Sequence, residues 1–205
     1  MKKKIFYPLW VLLFLGLGYS WGYIYSELQH VPPHFHANFA MYINGERVDF
    51  SEDVYMEDIA WCSITGDVNA RERVHLHENN PDTIHVHHDG VTWGHFFANI
   101  GFTFGENFIS SDTWEVYVNS WERRIHFILN GKEISNPYNR LITSKDRLLI
   151  SYGLETPQEQ EQLYESVSDN APEYNAKYDP ASCGGNNENA LVVILHEMLH
   201  PHSHE

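Results

Sequence analysis

Cysteine is scarce in this chain. There are two, Cys62 and Cys183, and neither sits in a CxxC pair or beside a histidine. That disfavours a copper thiolate ligand, the alternative to a disulfide. Lysine and arginine are few against aspartate and glutamate, and the formal net charge is −15 with histidine neutral. Such a field repels nucleic acid and attracts cations. The four methionines, Met1, Met41, Met56 and Met198, form no methionine-rich motif. Glycine-rich phosphate loops, paired carboxylates and a nucleophile beside its base are also missing, as are internal repeats.

Histidine is what the chain has instead, fourteen in all. Six stand in three His-x-His pairs: His34 and His36, His75 and His77, His85 and His87. The residue inside each pair is apolar (Phe35, Leu76, Val86), and so are Ala37, Phe39, Val74 and Ile84 beside them. In a strand, positions i and i+2 share one face. Each pair therefore reads as a strand with an apolar core face and an imidazole face. Imidazole nitrogen suits zinc and copper(II), whereas calcium and magnesium want oxygen. Without a methionine-rich motif, a dedicated copper(I) carrier is disfavoured.

Residues 74–87 read as a hairpin around a polar Asn79–Asp82 turn. Setting His77 opposite His85 puts His75 opposite His87, with all four rings on one face. Val74, Leu76, Ile84 and Val86 then line the other. A slip of two residues keeps this arrangement, and a slip of one destroys it. The first strand alongside adds His34 and His36. Six donors suffice for one site with spare ligands or for two adjacent sites. Glu78, His88, Asp89 and His95 are near enough in sequence to support the ligands. The alternative is a metal-free histidine face for a protein partner, loosening near pH 6 as protonated rings repel.

The order of elements predicts an α+β fold. Strand one runs from Phe35, with Phe35, Ala37, Phe39, Met41 and Ile43 on one side and His34, His36, Asn38 and Tyr42 on the other. Asn44-Gly45 and Asn130-Gly131 are hairpin signals. Thr92 caps a short helix over 93–100, stopped by Gly101. Strands are expected near 115–118, 124–129 and 146–152. Thr156-Pro157 opens an acidic helix to about Val167.

The segments YINGERVDF, GVTWGHFFANIGF, HFILNGKEI and DRLLISYG resemble the extracytoplasmic β-grasp domains related to the transcobalamin C-terminal domain. The stretch HLHENNPDTIHVHHDGVTWGHFF is also similar to a poorly characterised family of membrane-anchored, histidine-rich bacterial proteins. The likeness covers about residues 34–153. It implies a small mixed sheet crossed by one helix and an extracytoplasmic location, and no activity.

Lys2, Lys3 and Lys4 precede an uncharged run from Ile5 to Tyr25. This reads as a signal anchor, a single transmembrane helix with the remaining chain outside the cytoplasm. A shorter apolar core with a small-x-small exit would mark a cleaved signal peptide. The expected organisation is an anchor over 1–25, a linker over 26–33, the histidine-rich domain over 34–153, an acidic extension over 154–189 and a tail over 190–205. In an oxidising compartment Cys62 and Cys183 most simply form one disulfide.

The tail holds one rival motif. His196-Glu197-Met198-Leu199-His200 matches HExxH, in which two histidines bind zinc and the glutamate acts as base. Against a zinc protease stand Pro201, which pushes His200 out of helical geometry, and the missing metzincin continuation. A metal-capturing tail, or a terminal helix whose apolar residues dock on the domain or on a partner, fits these residues better. A hydrolase built on the sheet histidines is a third class, with three rings and an open position on zinc.

Overall fold

The computed structural model describes residues 9–28, 33–57 and 70–176. The chain divides into two compact units, and Pro32–Asn186 holds the sheet. The other unit contains helix α1, Leu9–Leu28. Among the described residues no helix is long and apolar enough to cross a membrane. The expected span from Ile5 to Tyr25 starts outside the described residues, and its described part does not reach that mark. Cys62, Cys183, the expected disulfide and the 190–205 tail lie outside the described residues.

The fold of Pro32–Asn186 is α+β, as expected. Ten strands run in chain order: β1 Phe35–Ile43, β2 Glu46–Arg47, β3 Val74–His75, β4 Thr83–Val86, β5 Thr103–Phe104, β6 Phe108–Ser110, β7 Val116–Val118, β8 Arg124–Leu129, β9 Lys132–Ile134 and β10 Arg147–Gly153. The helices are α2 Ala70–Arg73, α3 Trp93–Asn99, α4 Pro157–Glu165 and α5 Ala171–Asn175. The main sheet has the order β3-β4-β1-β10-β8-β9, with β2 also on β1. Its central pair, β1 and β10, is parallel. The neighbouring pairs β1–β4, β3–β4, β8–β10 and β8–β9 are antiparallel. β5, β6 and β7 form a second, three-stranded sheet.

Both Asn-Gly signals produce hairpins. Asn44 and Gly45 have φ of 52° and 81°, and Asn130 and Gly131 have 52° and 74°. Two successive left-handed residues match the right-handed strand twist, which is why Asn-Gly is favoured there. Helix α3 starts where its cap says. Thr92 accepts a hydrogen bond from the His95 backbone N–H, and His95 Nδ1 accepts one from the Thr92 N–H. Gly94 has a tertiary reason: a Cβ there would lie 2.6 Å from the Tyr138 carbonyl oxygen.

The alternation in β1 divides two cores. Ala37, Phe39 and Met41 join Phe96, Phe97, Trp93 and Ile150 in the larger one. Ala40, Tyr42, Leu149 and Val167 form a smaller one, flanked by Leu163 and Tyr164 of α4. The acidic stretch from Pro157 is therefore packed on the sheet. Arg147 ties it down, donating to the carbonyls of Ser168 (3.2 Å) and Val167.

The α4 cap carries a pH prediction. Glu159 accepts from the Thr156 N–H, and these bonds hold its carboxyl below the usual value of 4.5. A depressed carboxylate contributes stability that is complete above its unfolded pKa and lost as pH falls through the folded one. Glu159→Gln should flatten the stability decline below about pH 4.5, read from urea unfolding at stepped pH. An unchanged acid slope would show that the cap contributes nothing.

Candidate metal centre

Three adjacent strands display the histidines. β1 supplies His36, β4 supplies His85, β3 supplies His75, and the three stand directly opposite one another across the sheet. His34 precedes β1, His87 follows β4, and His77 lies two residues past His75. The aliphatic partners Val74, Leu76, Ile84 and Val86 are at most 1% exposed in the larger core. The predicted division into an aliphatic face and an imidazole face therefore holds.

The predicted register does not. His75 pairs with His85 and Val74 with Val86, a shift of two residues from the His77–His85 and His75–His87 pairing. The cause is the loop. β3 ends at His75, and Glu78 and Asn79 adopt left-handed conformations with φ of 57° and 53°. The Asn80 N–H then closes a turn on the His77 carbonyl. Side-chain parity survives a two-residue shift, so the imidazole face stays intact.

The rings converge. His85 Nδ1 lies 2.9 Å from His36 Nε2 and 2.9 Å from His77 Nε2. The rings of His34 and His87 stack with centroids 4.6 Å apart, and those of His75 and His87 with centroids 5.1 Å apart. His34, His85 and His87 each offer a nitrogen within 4.8 Å of the others, a group that can hold a metal ion. His36, His75, His77, His85 and His87 are buried, whereas His34 is exposed and forms the rim.

Two tautomers follow from the partners. Asn175 Oδ1 accepts from the His36 backbone N–H, so the amide presents its oxygen there. His36 Nδ1 lies 2.8 Å from that same oxygen and carries the proton. In the neutral ring, Nε2 of His36 is then a lone pair aimed at His85. His75 Nδ1 lies 2.8 Å from the Arg71 carbonyl, which only accepts. Its Nε2 is likewise left as the lone pair of the neutral ring. Ligating histidines characteristically give their other N–H to a carbonyl or carboxyl oxygen, which fixes the ring and raises its basicity.

These supporting groups are not the ones expected from sequence. Glu78, His88, Asp89 and His95 are exposed, and His95 is spent on the α3 cap. Asn175 is 139 residues from His36 and no local pattern signals it. Arg71 acts through its backbone. Around them α5 is pinned to the same face. Asn170 Oδ1 accepts from Asn38 and Thr83, the Ala171 N–H donates to Asn38 Oδ1, and the Tyr174 ring lies 5.6 Å from that of His36.

A separate cleft of about 530 Å³ is lined by Arg47, Tyr55, Asp112, Glu115 and Tyr117 among others, and by none of the six histidines. Burial and the hydrogen bond to Asp112 push the Tyr55 phenol up to about 12. It is a donor there at neutral pH, not a base.

No protein-family model, curated protein or solved structure matches this chain.

Proposed function

We propose that the histidine face binds zinc or copper(II) through His34, His36, His75, His77, His85 and His87, for metal capture, buffering or delivery. The convergence of ring nitrogens on His85 carries this reading. A neutral imidazole carries one lone pair, so three rings with contacts of 2.9 Å bring three nitrogen donors together. A tetrahedral ion with bonds of about 2.0–2.1 Å spaces its nitrogens by about 3.3 Å, and the donor atoms of His34, His85 and His87 already lie within 4.8 Å of one another. The fixed tautomers of His36 and His75 favour ligation in advance. Zinc and copper(II) both suit an all-nitrogen shell.

The order of the sheet supports the β-grasp assignment, because a parallel central pair joins the first and last strands beside helix α3. We also place the domain outside the cytoplasm. Three lysines followed by an uncharged apolar stretch have the charge order of an export segment. Locating a tagged chain by protease access in intact cells tests this, and full protection of the tag inside would refute it.

Asn175 offers a test of the site that leaves every proposed ligand in place. Asn175→Ala should weaken zinc affinity by about 10- to 100-fold, the usual cost of losing the group behind a ligating histidine. Competition against a colorimetric chelator at neutral pH measures it. Wild-type affinity in that variant would mean that Asn175 does not orient a ligand.

A further inference from the structure

We propose that the histidine face takes two divalent ions and that the His85 imidazole is shared between them. The inference rests on the metal-binding reading above and specifies its stoichiometry. A tetrahedral ion takes four donors, and six imidazoles gather here. They fall into two groups with one common member. In the first, His85 Nδ1 lies 2.9 Å from Nε2 of both His36 and His77. In the second, His34, His85 and His87 bring one nitrogen each within 4.8 Å of one another.

An imidazole carries two nitrogens on different edges of the ring, so one ring can serve two ions. The flanking rings are less suited to sharing. His36 Nδ1 is held by Asn175, and His75 Nδ1 by the Arg71 carbonyl. His85 sits between them on the middle strand of the three. We assign its Nδ1 to an ion with His36 and His77, and its Nε2 to an ion with His34 and His87. His75, whose ring stacks near those of both His85 and His87, gives its Nε2 to the second ion as the fourth donor. His34 is the exposed member, its ring stacked on that of His87 at the rim. When the second ion binds, the remaining N–H bond of His85 breaks. Its proton leaves to water, and the nitrogen lone pair forms the new metal bond.

Copper(II) tests this by electron paramagnetic resonance. The full chain is used with His196→Ala, His200→Ala, His202→Ala and His204→Ala together, which removes the donors of the tail. Two tight equivalents are expected. The integrated signal should rise with the first and fall with the second, because two copper(II) spins on one imidazolate couple antiferromagnetically. Two tight equivalents whose signals simply add would overturn the sharing. A single tight equivalent would overturn the second ion and leave the metal-binding reading standing. No tight copper would remove both. His85→Ala should abolish the coupling, while the wild-type signal decides the matter even where that variant folds poorly.

Discussion

His85→Ala is expected to lower zinc and copper(II) affinity by more than about 100-fold, beyond the usual cost of losing a supporting group. His85 is 2% exposed and central in its row, with His36 opposite on one side and His75 on the other. Its Nδ1 is the point that His36 and His77 both approach, and it also belongs to the group with His34 and His87. Among the described residues no other ring belongs to both groups. The effect should reach thermal stability. An ion at about 100 times its dissociation constant stabilises the native state by about 2.7 kcal/mol. For a chain of this size that raises Tm by roughly 5–11 °C. The increment should vanish in His85→Ala, while His126→Ala, a ring hydrogen-bonded to Glu133 on another strand pair, should keep it. Acidification should release the ion, since ligating imidazoles must be unprotonated. Equal metal-induced Tm shifts in the two variants would contradict the placement of His85 at the centre.

The largest loss of stability is expected from Phe39→Ala. Phe39 is fully buried midway along β1. Its ring centroid lies 5.2 Å from that of Phe50, 4.9 Å from Phe96 and 5.6 Å from Phe97. Truncation removes the transfer free energy of the ring and leaves a cavity that three aromatic neighbours cannot fill together. The cost should be about 3–5 kcal/mol, a large share of the roughly 5–15 kcal/mol that holds a domain folded. Urea unfolding measures it. Phe108→Ala, at a ring 39% exposed, should cost far less. Phe39 and His36 lie on opposite faces of β1, so saturating zinc should recover part of the lost stability by linkage. A loss below 1 kcal/mol for Phe39→Ala would show that this cluster is not the main core.

The elements that sequence revealed are those specified locally. The alternation from Phe35 to Ile43 fixed both faces of β1 because side chains in a strand repeat every second residue. The two Asn-Gly turns and the Thr92 and Thr156 caps were legible because each is decided within four residues. Register was not, since pairing in the 74–87 hairpin depends on how Glu78 and Asn79 coil the loop. The grouping of the histidines was legible as a shared face, whereas the order of rings across it was not. The supporting groups were hidden for a different reason. Asn175 meets His36 only because α4 and α5 fold back over the sheet, and a backbone carbonyl such as that of Arg71 has no sequence signature. The N-terminal helix was legible in the uncharged run from Ile5 to Tyr25, and its described part is not long and apolar enough to cross a membrane.

X-ray absorption on the zinc-loaded full chain, with the four tail histidines replaced by alanine, tests the central claim most directly. The account predicts a first shell of nitrogen at about 2.0–2.1 Å with the outer-shell pattern of several imidazoles. A shell dominated by oxygen, or a chain that retains no zinc after desalting, would contradict it.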